Sequence, residues 1–231
     1  MDVTLKNKLG IIVTILLLLL IAAIGYFASV DLVQASILRK EIATIAELDI
    51  TKDEIDMEIK AKGNYAVVEQ TIKEYMNKYS VTCKDVMAML EDEQMAEILS
   101  AENYKNDGLD FIKSKEYIAT IRKNFNEKIT LLIDMTSEET MKLAIEDKGL
   151  DENFKELYTE LMLGEELRED LQKAKTSLEE SSVTINNILD VQDKVINMLI
   201  ENKDKWEVDD DQIVFSTQTL VDQYNGFISN L

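Results

Sequence analysis

Two apolar patterns run along the chain: one unbroken block and a series of periodic stripes. The block extends from Leu9 to Val30, 22 residues without a charge, fourteen of them Leu, Ile, Val or Phe. At 1.5 Å per residue this run covers about 33 Å, the thickness of a bilayer's hydrocarbon core, and it predicts a transmembrane helix over 9–30. A cleavable signal peptide is the competing reading. Its apolar region is normally about 7–15 residues long, and bulky Tyr26 spoils a site at Tyr26–Ala28, although Val33-Gln34-Ala35 would serve. No later stretch approaches 18 apolar residues, so the expectation is a single pass. Lys6, Lys8 and the terminal amine precede the block and Asp31 follows it. The positive-inside rule therefore places a tip of residues 1–8 in the cytoplasm and residues 31–231 outside the cell membrane.

Beyond the block the spacing of apolar residues is helical. Ile118, Ile121, Phe125, Ile129 and Leu132 form one stripe. Alternating steps of four and three then give Leu167, Leu171, Ala174, Leu178, Ser181, Ile185, Ile188, Gln192, Val195 and Leu199, a heptad seam with Ser181 and Gln192 as polar interruptions. From Leu189 the stripe widens to take in Val191, Ile196 and Met198, which suits packing among several helices better than a two-stranded coil. An elongated antiparallel bundle is predicted, with an intermolecular coiled coil, and hence a homo-oligomer, as the second choice. Gly25 and Ser29 add a small-x-x-x-small pair on the anchor that could support pairing.

Caps place the boundaries. Thr51 with Glu54, flanked by Ile50 and Ile55, reads as a capping box with its staple, and Thr82 with Asp85 repeats the arrangement. Thr136 with Glu139 marks a third start, Gly149 fits a C′ stop, and Asn106-Asp107-Gly108 reads as a turn. Near the C-terminus, Lys205-Trp206-Glu207-Val208 and Gln212-Ile213-Val214-Phe215 alternate polar and apolar around Asp209–Asp211. This predicts a small β-hairpin, followed by a helix capped by Ser216 and carrying Leu220, Tyr224, Phe227 and Ile228.

Composition strengthens the helical reading. The 231 residues contain no proline, where average usage gives roughly a dozen, and 7 glycines, where about 16 are expected. Proline interrupts helices, so its absence permits long ones, and β-sandwich and doubly wound folds need more turn residues than this. The fold class is all-α with that one hairpin.

Charge narrows the partners. The net charge is −20, and the chain beyond residue 30 holds 23 basic and 44 acidic residues, a net −21. Such a surface repels nucleic acid phosphate and anionic lipid headgroups, so no nucleic-acid partner is expected; it reads as a solvated acidic surface with no specific partner, with attraction of a basic partner or of divalent cations as the alternative.

The stretches KGNYAVVEQTIKEY (62–75), LSAENYKNDG (99–108), YTELMLGEEL (158–167) and WEVDDDQIVFSTQTLVDQYN (206–225) resemble a family of single-pass, membrane-anchored helical proteins of Gram-positive bacteria with no assigned activity. The resemblance covers most of the chain and implies a cell-envelope setting without site residues. The layout is also similar to the sensor half of chemotaxis receptors, but it departs from that pattern in lacking a second span and a cytoplasmic signalling region.

Catalytic chemistry finds little to work with. The chain has no histidine and one cysteine, Cys83. That removes histidine-dependent triads, histidine-containing zinc sites, thiolate clusters and any intramolecular disulfide. Cys83 is expected to be buried and inert. No glycine-rich phosphate loop is present, and Asp209–Asp211 lacks the spacing of a calcium loop, so it reads as a solvated turn. With 45 acidic residues some carboxylate pair always exists. Glu165, Glu166, Glu169 and Asp170 read as the wet face of a helix whose Leu167 and Leu171 point inward. Tyr65, Tyr75, Tyr79, Tyr104, Tyr117 and Tyr158 read as half-buried helix residues. No catalytic, cofactor or metal site is assigned, and the chain is expected not to be an enzyme. The expected function is a membrane-tethered, extracytoplasmic interaction or scaffold module, with an envelope protein and the bilayer as partners. The alternative is a solute-binding or sensory-type helical ectodomain.

Overall fold

A computed structural model describes residues 32–229, apart from the side chains of Glu165, Glu166 and Leu167. The run 9–30 and the tip 1–8 lie outside the described residues. Among the described residues no helix is long and apolar enough to cross a membrane. The fold is mostly helical with one C-terminal hairpin. The helices are α1 (Leu32–Ala46), α2 (Asn64–Glu91), α3 (Glu93–Glu97), α4 (Ala101–Asp107), α5 (Ile112–Met135), α6 (Glu138–Glu146), α7 (Glu152–Leu163), α8 (Glu165–Glu201) and α9 (Gln218–Ile228), and the strands are β1 (Trp206–Asp209) and β2 (Gln212–Phe215). These residues fall into two compact units, one built from 32–87 with 128–180, the other from 88–127 with 181–229.

The stripes become the core. Ile118, Ile121, Phe125, Ile129 and Leu132 of α5 are all buried, as are Leu38, Ile42 and Ile45 of α1. The seam of α8 is buried from Leu171 to Leu199, with Ile188 only half covered, and Ser181 and Gln192 go inside with it. The chain's own helices bury that seam, so a bundle accounts for it without an intermolecular coiled coil. Gln192 Nε2 donates to the Met95 carbonyl at 3.0 Å, which gives one buried polar atom its partner.

Side-chain caps fix several boundaries, and all four helix starts expected from the sequence differ from those observed. α6 starts one residue later than Thr136 implies: Ser137 is the cap and accepts from Thr140 N–H, while the Thr136 hydroxyl donates back to Ile133. α9 is capped by Thr217 rather than Ser216. Thr82 starts nothing. It sits within α2, its hydroxyl donating to the Lys78 carbonyl four residues back, a bond that satisfies Thr without ending a helix. Asn106-Asp107-Gly108 closes α4, with Gly108 at φ 77°, and Gly149 at φ 71° follows α6, both in the left-handed region that glycine enters without penalty.

The hairpin forms in the expected place. β1 and β2 are antiparallel with Trp206 opposite Phe215 and Val208 opposite Ile213, which puts the apolar positions on one face. In that same unit Trp206 Nε1 donates to the Leu199 carbonyl at 2.8 Å. The Trp206 ring lies 6.1 Å from Tyr104 and 5.9 Å from Phe111, and Tyr104 and Phe111 meet edge to face at 5.5 Å. Asp209–Asp211 is exposed at the hairpin turn, as a solvated turn should be.

The largest departure concerns Thr51. No helix starts there. Asp49 takes over the local donors: its Oδ1 accepts from both Thr51 N–H and Thr51 Oγ1, at 3.1 and 2.5 Å, while Asp53 Oδ2 accepts from Asp49 N–H. The Thr51 N–H and O–H are thus both held back toward Asp49 in a local turn. Residues 53–60 then run on with no helix, turn or ladder of their own.

Candidate functional site

A segment without secondary structure must satisfy its backbone elsewhere. Residues 53–62 do so through side chains of α1 and α2. Lys84 Nζ donates to the Asp53 carbonyl at 2.6 Å, and Lys73 Nζ to the Glu58 carbonyl at 2.6 Å. Glu69 accepts from the amides of Lys60 and Ala61, at 3.2 and 2.7 Å, and Gln34 Oε1 accepts from the Lys62 amide at 2.7 Å. Ile55 and Ala61 are buried beneath this strap.

The strap closes over a buried charge cluster. The side chains of Lys73 and Glu69 are each 1% exposed and form an ion pair at 2.8 Å on successive turns of α2. Lys73 Nζ also meets Glu41 Oε2 of α1 at 3.0 Å, and the same oxygen meets Lys60 Nζ of the strap at 3.0 Å. Lys60 in turn pairs with Asp56 at 2.9 Å. Burial raises the Glu41 carboxyl, but hydrogen bonds from Lys60 and Lys73 outweigh it and hold the group below the ordinary glutamate range. Hydrogen bonds to Asp56 and Glu41 raise Lys60.

The cluster's chemistry follows from its saturation. An ammonium has three donors, and those of Lys73 go to Glu41, Glu69 and the Glu58 carbonyl. With all three donors taken by the chain itself, Lys73 has none left to offer a ligand. The arrangement is therefore a clamp that fixes the strap to the helices. Sequence reading missed it. Its one visible signal is the strict alternation of charged Glu54, Asp56, Glu58 and Lys60 with apolar Ile55, Met57, Ile59 and Ala61, a period of two where a helix would show 3.6.

Other expected positions separate from one another. Cys83 is buried, and burial pushes its thiol up to about 12, the direction of an inert thiol. Tyr75, Tyr79, Tyr104 and Tyr158 are buried rather than half-buried, and Tyr65 and Tyr117 are intermediate. Tyr75 donates to the Met135 carbonyl at 2.7 Å, whereas the hydroxyls of Tyr79 and Tyr158 reach no oxygen or nitrogen partner. Of the expected wet face Glu169 is exposed and Asp170 only half-exposed, paired with Lys173 at 2.6 Å; Leu171 is buried, while Glu165, Glu166 and Leu167 fall outside the described side chains. Among the described residues no group of three or more Asp, Glu or Cys side chains is arranged to hold a metal ion. An open groove of about 260 Å³ lies along α6 and α7, lined by Lys142, Glu146, Glu152, Lys155 and Thr159 among others. Lys155 there is already paired with Glu146 at 3.0 Å and Glu152 at 3.2 Å.

No protein-family model matches the chain, and neither a curated protein nor a solved structure is significantly similar to it.

Proposed function

We propose that this chain is a membrane-tethered interaction module of the bacterial cell envelope, anchored through residues 9–30 with residues 31–231 on the outer side, and that it works by presenting its surface to another protein rather than by catalysis. The observation that carries this reading is the saturation of the buried charge cluster. A solute-binding bundle needs inward polar groups left open for its ligand. Here Lys73, Glu69 and Glu41 spend their hydrogen bonds on the chain itself. A second observation bears on the tether: Leu32 and Val33, two and three residues beyond the uncharged run, are 71% and 64% exposed. Apolar residues at that level of exposure suit the interfacial zone of a bilayer.

The solute-binding alternative draws on the α6–α7 groove, whose lysines and Thr159 could contact a small polar molecule. Its mixture of signs and its openness make it the weaker reading.

The test is photo-crosslinking in intact cells from exposed positions of 31–231, with membrane fractionation of the same cells. The expected result is recovery of the chain with the membrane fraction and a discrete crosslinked protein. Recovery in the soluble fraction, or the same monomeric band from every position, would overturn the reading.

A further inference from the structure

α1 and α2 run side by side in the same direction, because the strap between them doubles back. Gln34 Oε1 of α1 accepts from the Lys62 amide at 2.7 Å, just before α2 begins at Asn64. Two turns further along α1, Glu41 meets Lys73, more than two turns into α2. Past the end of α1, the Ile50 carbonyl accepts from Ser80 Oγ at 2.8 Å. These contacts rise in step along both helices, so the first turns of α1 and α2 lie at one end of the pair. α7 brings its own first turn to that end, where Phe154 meets Tyr65 edge to face at 4.9 Å. Leu32, Val33 and Lys62 are exposed there, and Tyr65 and Phe154 are half-buried. The sequence says what covers this end. The uncharged run stops at Val30, and two residues of chain reach at most about 7 Å, so Leu32 cannot leave the surface of a bilayer that the run crosses.

From this we infer that the shared end of α1, α2 and α7 is a membrane-seating surface: Leu32, Val33, Tyr65 and Phe154 enter the interfacial layer of a zwitterionic lipid leaflet, and Lys62 reaches its phosphates. This inference rests on the reading of residues 9–30 as a tether and adds an orientation to it, since a tether alone would leave the module free to tumble above the lipid. Aromatic side chains with a polar atom or a polar neighbour settle at the headgroup level, and a lysine lays its apolar stem along the surface while its ammonium stays with the phosphates. The charge selects the leaflet. Asp151 and Glu152, at the start of α7, are exposed, and the chain beyond residue 30 carries a net −21. An anionic leaflet would repel that charge, so apolar contact and a neutral headgroup carry the seat.

The test places a nitroxide on the full chain in phosphatidylcholine vesicles, at one introduced cysteine at a time: Val33→Cys, Lys62→Cys or, more than 25 Å further along α2 at about 1.5 Å per residue, Val81→Cys. Val81 is exposed, and the unsubstituted chain with its buried Cys83 is the labelling blank. Contact with lipid is read as the loss of collisions with a water-soluble nickel chelate. Labels at 33 and 62 are expected to lose at least fivefold against the label at 81, at low and high salt alike. Leu32→Glu with Val33→Glu changes two residues that the fold leaves exposed. It is expected to return label 62 to water, with the helical circular dichroism spectrum unchanged and the chain still floating with the vesicles. If that variant loses helix, the comparison of 62 with 81 still decides. Label 33 shielded with label 62 as open as 81 overturns the seat and leaves the tether standing. Equal shielding of 62 and 81 overturns it too, since the helix pair would then lie along the surface. Shielding that vanishes at high salt would mean charge attraction and overturn the apolar seat. So would spin–spin broadening at 62 that unlabelled chain dilutes away, since a second copy would then cover this end. A chain that does not float with the vesicles overturns the tether along with the seat.

Discussion

The unit of residues 32–87 with 128–180 and the unit of residues 88–127 with 181–229 each hold a non-helical segment on helices, and they do it with opposite chemistries. In the second unit the segment pairs with itself. β1 and β2 satisfy each other's backbone, and the hairpin is then seated by apolar contact of Trp206 with Tyr104 and Phe111. In the first unit the strap has no strand partner, so helix side chains must supply donors and acceptors. Two of those side chains, Glu69 and Lys73, are charged and buried. Charges out of water are stable only with full pairing. A segment without its own ladder therefore rests on a few residues, and losing one of them costs more than losing a single contact of the hairpin.

The largest effect is expected at Glu69. Glu69→Ala removes the acceptor for two strap amides and leaves Lys73 buried with Glu41 as its remaining carboxylate partner. Breaking a buried pair on one side costs about 3–5 kcal/mol, read as the shift in urea unfolding. Adding Lys73→Met to it should cost clearly less than the sum of the two single changes, because the unpaired charge is removed along with its partner. Strict additivity would show that the cluster is not a coupled unit.

Trp206→Phe is the matching change in the other unit. It keeps an aromatic ring against Tyr104 and Phe111 but deletes the Nε1–H bond to the Leu199 carbonyl. One neutral hydrogen bond and a partial void together are worth about 1–2 kcal/mol. A loss as large as that of Glu69→Ala in the same urea assay would erase the contrast between the two units.

The same contrast separates what could be read from the chain from what could not. The hairpin was legible because its information is local: Trp206, Val208, Ile213 and Phe215 alternate on either side of a run of aspartates. The stripes of α5 and α8 were legible because a 3.6-residue period repeats over many turns. The strap is not legible because Thr51 and Glu54 satisfy a capping pattern, yet the chain makes a local turn onto Asp49 and no helix follows. Its true partners, Glu69, Lys73 and Gln34, lie 8 to 28 residues away in the chain, and no short pattern links them. The period of two from Glu54 to Ala61 was the one local trace. Site chemistry was hidden for a related reason. In a chain with 45 acidic residues, nothing in the sequence distinguishes Glu41 and Glu69 from the solvated majority.

Acid offers the gentlest test of the contrast. Burial raises the Glu41 carboxyl and the hydrogen bonds from Lys60 and Lys73 lower it further than that, so its folded value lies below its unfolded one. Asp56 is also lowered, through the Glu58 amide and Lys60. A carboxylate depressed on folding binds fewer protons folded than unfolded. Its contribution is therefore complete above the ordinary glutamate value of about 4.3 and drains away as pH falls through the folded value. Amide exchange over 58–62, corrected for intrinsic rates, should accordingly hold steady from about pH 8 to 5 and lose protection below about pH 4.3. Trp206 has no such dependence: its partners are two rings and a backbone carbonyl, and burial raises the Tyr104 hydroxyl away from this window. Its fluorescence should stay flat across the same range. If both probes move together below pH 4.3, the strap is not held by its carboxylates in particular, and the difference between the two units reduces to packing.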